Sequence, residues 1–412
     1  MVFIKSFRAF RPKEKFVSQV AARPYDVINT AEARREAEGN PKSFLHVTKP
    51  EISFPDSQDP YESSVYLKGA SAFRKLVDDK IFVQDKKNSF YLYTLVINGR
   101  EQNGLVGCIS VDDYIDRKIK VHELTRPDKE ADRKRHIEYT NLHAEPVFLA
   151  YRSTGPGLKL LAAEIKKKKP EYDFTTDDGI RHTLWKTDKE DHLTKITALV
   201  ESLDSLYIAD GHHRTAAAAS VGTEMKKKFP DGSEHQNIMA VIFPHDELRI
   251  LDYNRVARDL NGLERDEFFQ LLGQSFQIRS NGPMQYKPSR LHEFGMYLGG
   301  NWFVLELKMD RFHPITRADE LDVQILTSEI LTPILGIKDI RTDKRIDFVG
   351  GIRGLGELEN LVNSGKMEVA FALHPVTMNQ LMDISDSGGI MPPKSTWFEP
   401  KLRSGLFVHA LY

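Results

Sequence analysis

Tyr207-Ile208-Ala209-Asp210-Gly211-His212-His213-Arg214-Thr215-Ala216-Ala217-Ala218 is the stretch that decides how this chain reads. The apolar run from Leu206 to Ala209 predicts a short strand, Gly211 a tight turn, and the alanines after Arg214 a helix. A strand that turns directly into a helix leaves the first helical N–H groups unpaired, and the helix dipole adds partial positive charge there. Such a corner binds anions. Gly211 lets a phosphate approach the backbone. Arg214 can hold phosphate oxygens with two nitrogens, and in that role it would lie outside the core. Thr215 belongs to the same first turn. His212 and His213 add donors that titrate near neutral pH. Asp210 brings a carboxylate able to hold a magnesium ion or accept a hydroxyl proton. The plainer alternative is an Asp-Gly turn in which Asp210 only caps the helix. Adjacent histidines on a helix diverge by about 100°, which disfavours a chelate by His212 and His213 together.

Working outward, helical and extended signals alternate along the chain. Thr30 is expected to cap a polar helix that ends near Gly39-Asn40-Pro41. Residues 61–79 have helical spacing. Phe90 to Ile97 and Leu105 to Ser110 flank Asn98-Gly99, which predicts a β-hairpin. Residues 112–145 read as a loop and a polar helix, and 156–169 as a helix ending in Lys166 to Lys169. Those lysines, like Lys226 to Lys228, suit the negative end of a helix dipole better than a nucleic-acid patch. Strands are expected at 238–243, 248–252, 302–307, 346–349 and 368–373, and helices at 265–272, 318–334, 355–364 and 376–384. Gly282-Pro283, Pro288 and Gly299-Gly300 mark a weak stretch, and a boundary is placed there, giving regions 1–280 and 281–412.

A second constellation is His122-Glu123-Leu124-Thr125-Arg126-Pro127-Asp128-Lys129-Glu130-Ala131-Asp132-Arg133. It lacks the second histidine one turn on that a zinc protease needs. Lys129 and Arg133 are four apart and would share a helix face, where they could meet polyphosphate or simply face water. Asp26, in Pro24-Tyr25-Asp26-Val27, is either a turn-former or a substrate contact. Lys394, Ser395 and Thr396 offer a cation and two hydroxyls after Gly388-Gly389, without the glycine spacing of a Walker A loop. They are candidates for a substrate clamp.

Ala-Asp-Gly-His-His-Arg at 209–214, with small residues after it, resembles the signature of the domain of unknown function 1015 family. That resemblance covers most of the chain. It includes Pro24-Tyr25-Asp26-Val27, Asn40-Pro41 with Ser43-Phe44-Leu45-His46-Val47, and His122-Glu123-x-Thr125 with Lys129, Asp132 and Arg133. It also includes Met391-Pro392-Pro393-Lys394-Ser395-Thr396-x-Phe398-x-Pro400-Lys401. The strand, turn and helix resemble the phosphate corner of the ParB/sulfiredoxin-like fold, and Asp210 to Arg214 resemble the turn of its free serine kinases. The kinase resemblance implies ADP or ATP as phosphoryl donor with Mg²⁺, Asp210 as metal or hydroxyl ligand, Glu123 as general base and His212 at the reacting centre. Sulfiredoxin chemistry is excluded, because the required cysteine position holds His212.

Composition bounds the alternatives. The 412 residues are 40% hydrophobic and 28% charged, enough to bury a core and keep the surface soluble. Fifty-eight basic and 59 acidic side chains give a net charge of −1, which argues against nucleic acid as a partner. One cysteine, Cys108, can form neither an intrachain disulfide nor a thiolate zinc cage. It sits in an apolar run and is expected to be an inert core thiol. No apolar stretch approaches membrane length, and no signal peptide is evident, so a cytoplasmic protein is expected. The expected fold is mixed α/β, with a ParB/sulfiredoxin-like core and large additions at both ends. The expected function is transfer of phosphate from a nucleotide to a small molecule such as free L-serine. A nucleotide-binding regulator without turnover and a phosphate-ester or nucleotide hydrolase are the other readings.

Overall fold

The computed structural model describes residues 1–230, 232, 234–310 and 312–412. It is a mixed α/β structure in two compact units, Met1–Leu248 with Pro400–Tyr412, and Arg249–Glu399. The division therefore differs from the boundary at 280/281. Gly282, Gly299 and Gly300 have positive φ; Gly282 ends a strand at a register shift and Gly299-Gly300 turn between two paired strands of the same sheet, so the weak stretch is not a linker.

The first unit is built on a nine-stranded sheet. Its strands are β1 (Ile4–Lys5), β2 (Phe90–Ile97), β3 (Arg100–Ser110), β4 (Ile119–Lys120), β5 (Val147–Tyr151), β6 (Tyr172–Thr175), β7 (Arg181–Thr187), β8 (Leu206–Asp210) and β9 (Asn237–Pro244). The order is β4-β8-β5-β9-β3-β2-β7-β6, with β1 also paired to β3. Pairing is parallel for β8 with β4 and for β9 with β5, and antiparallel elsewhere. The β2–β3 hairpin forms as expected. Ile97 pairs with Arg100 across Asn98-Gly99, whose φ values of 50° and 74° match the hand of the strand twist.

Three helices matter to the site: α1 (Ser63–Asp78), α2 (Pro127–Thr140) and α3 (His212–Lys228). α3 buries Ala216 to Ala219, and its alanines let it lie close to its neighbours. At Gly222 an added Cβ would meet the His235 carbonyl oxygen at 2.5 Å, so close approach requires glycine there. Lys226 to Lys228 fill its last turn, as the dipole favours. The helix expected after residue 30 spans Thr30–Ala37, but its cap is Asn29, which forms a capping box with Glu32. Asn29 stands in extended backbone, as a cap must, and Thr30 is already helical. Cys108 is free and fully buried, and burial pushes its thiol up.

The second unit holds a six-stranded antiparallel sheet: β10 (Tyr253–Ala257), β11 (Phe276–Gly282), β12 (Glu293–Leu298), β13 (Asn301–Leu307), β14 (Ile346–Gly350) and β15 (Val369–Leu373). Its order is β11-β13-β12-β15-β10-β14. Val256, Trp302, Leu358 and Ala370 belong to its buried core. The helix expected over 318–334 forms as Asp322–Leu326 followed by a wider π turn, Thr327–Leu331. No helix among the described residues is long and apolar enough to cross a membrane.

Candidate active site

β8 is buried along Leu206 to Ala209 because it lies between β4 and β5. Its register with β5 shifts between Ile208 and Asp210. Such a bulge re-aims the residue that follows it. Gly211 then adopts φ 97°, ψ 30° and starts α3 with no side-chain cap among the described residues. The N-cap glycine offers no side chain to the first N–H groups of this 17-residue helix, which is the anion-binding condition.

The parallel pairing of β4 with β8 explains how a residue ninety positions upstream reaches this turn. Leu206 pairs with Ile119 and Tyr207 with Lys120. Continuing that register brings His122 and Glu123 level with Ala209 and Asp210. The His122 N–H donates to His212 Nε2 at 3.5 Å, and the two rings meet edge to face at 4.5 Å. Glu123 Oε2 lies 3.9 Å from His212 Nδ1. His213 Nε2 accepts the Arg126 N–H at 3.0 Å. Burial pulls His122 down to about 4. Burial, then the neighbouring His122, pulls His212 well below its ordinary value, and burial also lowers His213.

Asp210 is paired. Lys401 Nζ donates to its Oδ2 at 2.9 Å, and Arg214 lies 3.9 Å from Oδ1. Burial alone would raise the Asp210 carboxyl. Lys401 and Arg214 outweigh burial and hold it well below the usual carboxylate range.

Arg214 does not stand on the surface as the sequence suggested. It is 9% exposed and donates to the Pro146 carbonyl. It lies 3.7 Å from Asp26 Oδ2. Burial opposes its charge, but Asp26 and Asp210 keep its pKa raised. An added Cβ on Gly211 would stand 3.1 Å from the guanidinium carbon, so the arginine lies under the turn. The reason is charge: three carboxylates, Asp26, Asp210 and Glu145, act on this one cation. Thr215 is also interior. It is fully buried, and its hydroxyl donates to the Gly211 carbonyl at 3.0 Å.

The other candidates divide. Asp26 reaches the site through Arg214. Arg133 is buried on α2, stacks 4.0 Å over the Tyr25 ring and donates to Asp132. Lys129 donates to Tyr61 at 3.4 Å. Lys394, Ser395 and Thr396 fall in the second unit, where the Lys394 carbonyl accepts from Arg255 and the Ser395 hydroxyl donates to the Pro392 carbonyl. Sequence reasoning missed Lys401 and Glu145 and left His122 without a role. Lys401 was within reach, since it closes the C-terminal motif that ends Pro400-Lys401. Glu145 is buried at 9% exposure, accepts from Ser404 and the Tyr25 N–H, and is pushed up by burial. No local pattern marks it.

The model of a family described as a protein of unknown function, DUF1015, matches residues 4–324. The chain belongs to this family. No curated protein matches it in sequence. Among solved structures this DUF1015 protein is similar to a conserved hypothetical protein from Pyrococcus furiosus, at 13% identity over 72% of this chain and 92% of that one, with a TM-score of 0.35. It is similar to a free serine kinase in complex with AMP, at 13% identity over 71% and 86%, with a TM-score of 0.36. It is also similar to C-terminally truncated SbnI from Staphylococcus aureus, at 11% identity over 73% and 85%, with a TM-score of 0.39. These are distant likenesses, and no residue role is carried across from them.

Proposed function

We propose that this DUF1015 protein is a nucleotide-dependent phosphotransferase acting on a small-molecule hydroxyl, free L-serine being the first acceptor to test, on a ParB/sulfiredoxin-like core. The observation that carries the reading is the start of α3: uncapped helical N–H groups behind a left-handed glycine, with the Asp210 and Glu123 carboxylates beside them. Phosphoryl transfer depends mostly on positioning and on neutralising charge, and these groups supply both.

In this reading the N–H groups of His212 and His213 take terminal phosphate oxygens of ADP or ATP. His212, His213 and Arg126 line the approach. Arg214 and Lys401 set the local potential from beneath, holding Asp210 ionised and fixed. Glu123, with its side chain 43% exposed, takes the proton of the acceptor hydroxyl. Asp26 and Arg133 brace the floor.

Magnesium fits this donor set narrowly. Lys401 occupies Asp210 Oδ2, so Oδ1 is the oxygen to offer. One or two carboxylates with substrate phosphates are the usual magnesium environment. When bound, the ion neutralises charge between the phosphates. A regulator that binds nucleotide without turnover is the second reading, favoured by the existing neutralisation of Asp210.

The test is incubation of purified protein with Mg²⁺, ADP or ATP and a panel of amino acids, followed by phosphorus NMR. A new phosphomonoester signal supports the phosphotransferase. Inorganic phosphate alone replaces it with a hydrolase, and binding without product replaces it with the regulator.

A further inference from the structure

His122, Glu123 and His212 form a cluster that phosphate binding alone does not account for. Each offers one ligand atom, and the three atoms lie within 4.8 Å of one another. They come from two places, the end of β4 and the start of α3, which the parallel β4–β8 register brings together. Four-coordinate zinc with bonds of about 2.0–2.1 Å would hold its donors about 3.4 Å apart. Small side-chain adjustments therefore close this cluster around an ion.

An independent observation points to a ligand. The His122 ring donates to the Ile208 backbone, and its other nitrogen, Nδ1, is buried with no hydrogen-bond partner among the described residues. His122 as a whole is 2% exposed. A bare lone pair in a buried site costs free energy unless something occupies it. The bond to Ile208 leaves Nδ1 as the ring's acceptor, and setting the tautomer is the task that outer partners perform for metal-binding histidines. The contacts to the His212 ring are both long, from the His122 backbone N–H to Nε2 at 3.5 Å and from Glu123 Oε2 to Nδ1 at 3.9 Å, and either is readily exchanged for a metal bond. Access is open on one side, where the Glu123 side chain is partly exposed.

We propose that His122, Glu123 and His212 bind one divalent transition-metal ion, of which zinc is the best match, with an open coordination position for water or a phosphate oxygen. Two imidazoles and one carboxylate suit zinc, iron or manganese far better than magnesium, which prefers oxygen donors. The site is thus distinct from a magnesium ion at Asp210, and it does not rest on the phosphotransferase reading. With the ion bound, the Glu123 oxygen is a ligand and is no longer available as a base.

A second grouping, Glu164, Asp191 and His192, serves as the internal control. Both nitrogens of His192 are already engaged, with Thr187 at 2.7 Å and Glu164 at 3.1 Å.

The experiment is a zinc titration of the full-length protein, stripped with chelator and free of nucleotide, against a chromophoric competitor. Cobalt(II) absorption then reports the donor set. One equivalent is expected to bind, at least tenfold more weakly in Glu123→Ala and in His122→Ala, and unchanged in Glu164→Ala. Glu123 is not core, so that variant remains informative if His122→Ala fails to fold. Absence of zinc uptake overturns the proposal, as does uptake of equal strength in wild type and Glu123→Ala. Because nucleotide is absent, failure here leaves phosphoryl transfer standing, and the converse also holds.

Discussion

Lys401 and Asp210 form an ion pair of 2.9 Å although 191 positions separate them. The lysine arrives on Pro400–Tyr412, the C-terminal segment that rejoins the first unit. The pair ties that segment to the strand end from which the candidate site starts. Both side chains are mostly enclosed, at 19% and 24% exposure.

Lys401→Met is therefore expected to destabilise the protein by about 1–3 kcal/mol, below the cost of breaking a fully buried pair. Asp210→Asn in the Lys401→Met background is expected to recover much of that loss, because the uncompensated charge disappears. Urea unfolding of both single variants and the double variant measures the coupling. Additive losses would mean that the pair does not act as a unit.

Arg214→Ala is expected to cost about 3–5 kcal/mol of stability, since it leaves Asp26 and Asp210 without their shared buried cation. Arg214→Lys should rescue little, because the planar fork reaches the Pro146 carbonyl and both carboxylates in a way that one ammonium cannot. Chemical denaturation decides this. A fully stable Arg214→Ala protein would return the arginine to the phosphate-facing role read from the sequence.

Asp210→Asn and Glu123→Gln separate charge from shape. In the phosphotransferase reading each lowers turnover by about tenfold or more, the scale of general acid–base contributions, and leaves nucleotide affinity less affected. Steady-state kinetics beside calorimetric titration tests this. An Asn variant with nearly full activity would show that the Asp210 charge plays no part in turnover.

Acid should weaken the fold before most carboxylates titrate. Burial pulls His136 down to about 4 and His182 down to about 3. His136 binds the Val47 carbonyl near Arg133, and His182 binds Tyr93 and Thr176 near Arg403. Both folded values lie below the unfolded value, so the unfolded chain takes up protons first. Stability then falls as pH drops from about 6.5 towards 4, by about 1.4 kcal/mol per pH unit for each ring in mid-window. Urea midpoints at pH 7, 6 and 5 should decrease in order. A flat profile would show that these rings are accessible to protons in the native state.

The sequence by itself determined the local pieces, because their causes are local. Alternation around Asn98-Gly99 specifies a hairpin, since only certain residues accept positive φ at two successive positions. An apolar strand, a glycine and an alanine run specify the β8–Gly211–α3 corner. Strand pairing between distant segments has no such local cause. Only the tertiary structure decided that β4 lies parallel to β8, and this register carries His122 and Glu123 to the turn. Tertiary structure also decided that Lys401 neutralises Asp210 and that Glu145 is enclosed nearby. The same limit explains Arg214. Its neighbours in sequence suggest a surface helix start, but Asp26, Asp210 and Glu145 converge in space, and their combined negative potential holds the guanidinium beneath the turn.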